Sequence, residues 1–118
     1  MPFFRPGDLT PITPLPGCSL RTPYGENLML SRVEMEQGAV IPTHSHPHEQ
    51  GGIVLEGQLE LTIDGETRIL QTGEMYIIPP NTVHRAAAYG GPAVAMDVFS
   101  PVREDYVDAA NRYIPPSE

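Results

Sequence analysis

The stretch Gly38-Ala39-Val40-Ile41-Pro42-Thr43-His44-Ser45-His46-Pro47-His48-Glu49-Gln50 is answered later by Gly73-Glu74-Met75-Tyr76-Ile77-Ile78-Pro79-Pro80-Asn81-Thr82-Val83-His84. The chain holds four histidines, and three of them fall within five residues. Side chains at i and i+2 of an extended segment point to one face, so His44 and His46 on one strand can reach one metal ion. Imidazole suits Zn, Cu, Fe and Ni, and His84 completes such a site if the fold returns it there. A lone His-x-His is often only a polar loop. The second glycine-to-histidine block is what separates a site from a loop.

The two blocks resemble the paired signature motifs of the cupin superfamily, small double-stranded β-helix proteins. The first motif, G-x5-H-x-H-x(3,4)-E-x6-G, is matched by Gly38, His44, His46, Gln50 and Gly57. The second, G-x5-P-x-G-x2-H-x3-N, is matched by Gly73, Pro79, Asn81, His84 and Ala88. Every spacing is kept, and three letters depart: Gln50 stands for Glu, Asn81 for Gly and Ala88 for Asn. Asn is the residue next best at tolerating a left-handed turn. Gln50 replaces an anionic ligand with a neutral amide oxygen. The resemblance covers about residues 28 to 100 and implies one divalent ion held by His44, His46, Gln50 and His84. Glu49 is the rival carboxylate, but counting back six residues from Gly57 lands on Gln50. His48 and Glu49 lie outside the motif positions and read as loop residues.

Outside the motifs, 118 residues make a single domain, 1–118, with room for one core. Seven Arg, no Lys and fifteen acidic residues give a net charge of −8, which disfavours nucleic acid. A pocket cation can still hold an anionic small molecule. Cys18 is the single cysteine, so there is no intrachain disulfide. The N-terminus has no apolar h-region and no run reaches membrane-spanning length, which makes a cytoplasmic protein the expectation. Five of the first sixteen residues are proline, so the arm over 1–20 cannot be a helix and makes a poor interior strand. It is left either disordered or wrapped over a neighbouring subunit. The cupin resemblance implies a homodimer.

From residue 28 the pattern is strand after strand. Leu59, Leu61 and Ile63 alternate with Glu60, Thr62 and Asp64, and Asp64-Gly65 supplies a hairpin turn. Further strands are predicted at about 28–36, 52–56, 67–70, 75–79, 83–88 and 93–99. The fold class is therefore all-β, a jelly-roll-like barrel over 28–100. One short C-terminal helix is predicted over 101–113, capped by Ser100, with Pro101 first and Glu104 and Asp105 at the positive end of its dipole.

Three neutral histidines and an amide oxygen leave the charge of a divalent ion uncompensated and positions open for water or substrate oxygens. Ligand type does not choose among Zn, Ni, Mn and Fe. In strand 93–99, Ala93, Ala95, Asp97 and Phe99 share one face, and Val94, Met96 and Val98 the other. Both faces read as apolar, so parity leaves two places for Asp97: inward near a cation, suited to acid/base work, or outward at an edge. Arg103 can grip a carboxylate with its planar fork, or pair at the surface with Asp105 or Glu104.

The run Asp97-Val98-Phe99-Ser100-Pro101-Val102-Arg103-Glu104-Asp105-Tyr106 resembles the C-terminal segment of pectin-degradation cupins of the KdgF type. Those proteins open the ring of 4,5-unsaturated monouronates into linear ketonised sugars, beside a metal held by three histidines and a glutamine. The resemblance implies that Asp97 moves the proton, that Phe99 lines the site and that Arg103 binds the carboxylate of an anionic sugar. Two other classes stand beside this enzyme: an iron-dependent cupin dioxygenase, and a non-catalytic cupin that binds a sugar or metabolite.

Overall fold

The computed structural model describes residues 2–115. Its ten strands are β1 (Pro11–Leu15), β2 (Cys18–Arg21), β3 (Met29–Met35), β4 (Val40–His44), β5 (Glu49–Glu56), β6 (Leu59–Ile63), β7 (Glu66–Leu70), β8 (Met75–Ile78), β9 (His84–Ala88) and β10 (Ala93–Ser100). They form a six-stranded sheet, β1-β2-β3-β10-β5-β8, facing a four-stranded sheet, β4-β9-β6-β7. Every pairing is antiparallel. Asp64 and Gly65 both take positive φ, 48° and 82°, and close the β6–β7 hairpin with the twist its strands require.

The core lies between the sheets. Leu20, Val33, Val54, Leu59, Leu61 and Ala95 are among its buried members. Each large apolar side chain removed from water contributes about 1.5–3 kcal/mol. Strand parity, ambiguous in the sequence, is settled by packing: Ala93, Ala95, Asp97 and Phe99 point in, while Val94, Met96 and Val98 face out. On β3, Met29, Ser31, Val33 and Met35 likewise point in. The outer face of this sheet stays apolar, with Leu28, Met75 and Ile77 at 52%, 74% and 66% exposure.

Two expectations are corrected. The arm over 1–20 was to lie outside the barrel, yet it supplies β1 and β2, so the sheet begins at Pro11 and not near residue 28. Proline is tolerated there because β1 is an edge strand. Arg21 fixes the preceding turn by donating to the carbonyls of Pro6 and Leu9, at 3.0 and 3.1 Å. The helix predicted over 101–113 is replaced by two short 3-10 turns, Glu104–Tyr106 and Ala109–Asn111. Arg103 and Val107 are extended, with ψ of 112° and 128°. Bonds to the distant connection between β2 and β3 replace the helical ladder. Thr22 Oγ1 donates to the Tyr106 carbonyl, Tyr24 N to that of Asn111, and Tyr113 N to that of Tyr24. The segment is thereby drawn over one end of the barrel, where Tyr106 and Val102 pack on Tyr24, Met29 and Phe99.

Candidate metal centre

His44 ends β4 and His84 begins β9, and the two face each other as a cross-strand pair. His46 does not share the strand, as the i, i+2 reading expected, but sits in the loop between β4 and β5. The loop is pinned where Asn81 N donates to the His46 carbonyl at 2.8 Å. Asn81 has φ of 61°, the left-handed conformation that explains glycine at this motif position. One ligand atom from each of His44, His46 and His84 falls within 4.8 Å of the others. That spacing leaves the three within reach of one divalent ion after small side-chain adjustments.

The tautomers are set by backbone carbonyls. Nδ1 of His44 donates to Pro42 O at 2.8 Å, that of His84 to Thr82 O at 2.8 Å, and that of His46 to His48 O at 3.1 Å. All three rings therefore turn an Nε2 lone pair toward the common centre, the arrangement by which outer hydrogen bonds orient metal ligands. His84 Nε2 is buried and has no partner among the described residues. Burial lowers His46 and His84: His46 falls to about 4, helped by the charge of Arg103, and His84 also falls, against the pull of its bond to Thr82. They are neutral at pH 7. His46 Nε2 faces Gln50 Oε1 at 3.1 Å. The same amide helps hold the Asp97 carboxyl down. Two acceptors so placed repel each other unless a cation joins them, and His84 Nε2 is unmet for the same reason. These residues fit a divalent ion.

Asp97 is buried beside this cluster. Burial raises its carboxyl to about 6, while hydrogen bonds from Tyr76 and Gln50 and the charge of Arg103 oppose the rise. The Tyr76 hydroxyl donates to Asp97 Oδ1, and both burial and that carboxylate push the phenol well above its ordinary range. Phe99 is buried edge-on to His46, ring centroids 5.8 Å apart, and forms a floor under it. Arg103 makes the pairing with Asp105 that its sequence offered, but from a buried position and not from the surface. It is buried over the Tyr106 ring at 3.9 Å, and its Nε and Nη2 also bond Asp105 at 3.0 and 2.6 Å. Nη1 makes no bond among the described residues. Glu49 is exposed, while His48 is buried and 3.3 Å from Glu104.

One internal cavity of about 40 Å³ is lined by His44, Gln50, His84, Asp97 and Arg103, together with Tyr76 and Ser31. That is about one water's share of volume. A larger groove of about 830 Å³ lies along the β1–β2 hairpin, away from the histidines. Sequence reasoning passed over Tyr76 and Ser31. The available signal was Gly51-Gly52 inside a strand, since glycine there marks close approach by another group.

Residues 31–99 match the family model described as a cupin domain. The chain is a cupin. Over 85 residues, 71% of its length and 77% of the relative's, it is 35% identical to the pectin degradation protein KdgF of Dickeya dadantii (strain 3937). The structure of KdgF from Halomonas sp. superposes with a TM-score of 0.82 at 32% identity, covering 89% of this cupin and 97% of that chain. An RmlC-like cupin from Shewanella frigidimarina NCIMB 400 superposes at 0.85 with 27% identity, over 91% and 96% of the two chains. Among the described residues, no helix of this cupin is long and apolar enough to cross a membrane.

Proposed function

We propose that this cupin opens the ring of 4,5-unsaturated monouronates in sugar-acid catabolism. The observation that carries the reading is a single cavity lined at once by His44 and His84 of the three-histidine cluster, by Gln50, by a buried carboxylate and by a buried guanidinium. Similarity to pectin degradation proteins supports the substrate class.

His44, His46, Gln50 and His84 would hold one divalent ion, Zn, Ni, Mn or Fe. When bound, it supplies Lewis acidity toward a hydroxyl or ring oxygen of the sugar. Arg103 binds the substrate carboxylate through Nη1. Asp97 accepts the proton of the anomeric hydroxyl. As the anomeric carbon becomes a carbonyl, its bond to the ring oxygen breaks, and that oxygen leaves as an enolate across C4 and C5. A proton delivered to C4 turns the enolate into a ketone. One proton leaves an oxygen and one reaches carbon, so the reaction is an isomerisation without a co-reactant. A carboxyl group titrating near 6 is poised to take and return that proton near neutrality. Arg103 and Tyr106, from the segment drawn over the end of the barrel, line the same cavity. Phe99 remains the apolar floor.

The partner is thus a small anionic sugar. The homodimer would use the apolar outer face of the six-stranded sheet, at whose margin Arg32 and Glu56 offer both signs of charge to a two-fold mate. Metal-loaded protein incubated with lyase-released monouronates should form linear keto sugars over many turnovers without oxygen uptake. Oxygen consumption without ring opening would instead mark a dioxygenase, and stoichiometric binding without turnover a carrier.

A further inference from the structure

Ser31, Asp97, Gly52 and Tyr76 form one row of cross-strand neighbours over β3, β10, β5 and β8. Asp97 and Tyr76 are two strands apart, about 9–10 Å between backbones. They meet only because the residue between them has no side chain. A Cβ on Gly52 would run into the Tyr76 ring and hydroxyl and into Asp97 Oδ1. Tyr76 therefore lies across the glycine, and its hydroxyl, bonded to Oδ1, fixes the plane of the carboxylate. On the other side of Asp97, Ser31 is fully buried, and its Oγ has no partner among the described residues. Among the described residues, Ser31 Oγ makes no hydrogen bond to the carboxylate from that side. The phenol has no other polar partner among the described residues.

We propose that Tyr76 is a positioning residue that holds Asp97 in its working orientation, with Gly52 as the clearance that lets it do so. This rests on the role given to Asp97 above. With Oδ1 held by the phenol, proton exchange with substrate falls to Oδ2. A merely structural tyrosine would contribute stability and leave turnover alone, which makes the two roles separable.

The test compares the unaltered protein with Tyr76→Phe, which keeps the ring and loses only the hydroxyl. Gly52→Ala is the second variant, reaching the same bond by crowding it. Metal content, kcat and KM on lyase-released monouronates, and crystal structures of both variants are the readouts. Tyr76→Phe should keep its metal and keep KM within about twofold, while kcat falls about tenfold to a hundredfold. The Asp97 carboxylate should be rotated or spread over several positions in both crystals. Normal kcat in Tyr76→Phe, or an Asp97 carboxylate in its original orientation there, overturns the proposal. If the unaltered protein ignores these sugars, the proposed function fails separately. The orientation of Asp97 in the Tyr76→Phe crystal then decides this proposal by itself.

Discussion

At the scale of single residues, Gln50 is the departure from the cupin pattern with the most chemistry in it. Its amide oxygen faces His46 Nε2, whereas neighbouring Glu49 is exposed and pairs through its backbone with Ser100. Gln50→Leu should therefore weaken metal binding and Glu49→Ala leave it intact, as titration of the stripped proteins would show. The reverse ranking would remove Gln50 from the site. Asp97 and Arg103 make a second contrast. Asp97→Asn keeps shape but loses the proton carrier, so kcat should fall by about 10²–10⁴ with metal content unchanged. Arg103→Ala should chiefly raise KM, because it removes a contact present before and during reaction. Near-normal kcat in Asp97→Asn would end the acid/base assignment. The three histidines were legible because the two glycine-to-histidine blocks keep the cupin spacing, although the strand shared by His44 and His46 did not form and His46 lies in the loop between β4 and β5. Tyr76 was not, because a phenol reaching across a glycine depends on which strands become neighbours, and the register between β5 and β8 is invisible in a one-dimensional pattern.

At the scale of elements, local signals succeeded where contacts are local. The β6–β7 hairpin follows from alternation and an Asp-Gly turn, both contained within a few residues. The segment after β10 shows the opposite case. Its capping and charge signals favour a helix, yet burial of Arg103 and Tyr106 and bonds to Thr22 and Tyr24 draw it into short turns. Asn111 shows how strongly it is tied. It is 1% exposed, and its side chain bonds both the N–H and the carbonyl of Thr10, each at 3.0 Å. Asn111→Ala leaves two backbone groups of the β1 approach without partners, which should cost about 1–3 kcal/mol. Chemical denaturation measures the loss. Metal binding should survive, because none of His44, His46 and His84 is hydrogen-bonded to this strap, and an unchanged denaturation midpoint would mean that the cover is not tied here.

At the scale of the whole molecule, charge and chemistry separate. The chain carries −8 overall, but its cavity holds a buried guanidinium beside residues of the three-histidine cluster, so the local charge is not the overall one. Composition showed the first of these facts and only the fold shows the second. The apolar sheet face is also a property of the assembled molecule, since Leu28, Met75 and Ile77 come from distant parts of the chain. If two copies cover it, sedimentation should give a dimer, and Ile77→Asp should yield a folded, metal-binding monomer. A monomeric unaltered protein would contradict that. The central claim is metal-dependent ring opening, and proton NMR of a monouronate pool tests it most directly, with the same protein loaded, stripped by chelator and reloaded. The account predicts rapid loss of the ring alkene signal with the loaded protein, only the spontaneous rate after stripping, and recovery on reloading. An alkene signal that decays at the spontaneous rate in all three samples would contradict it.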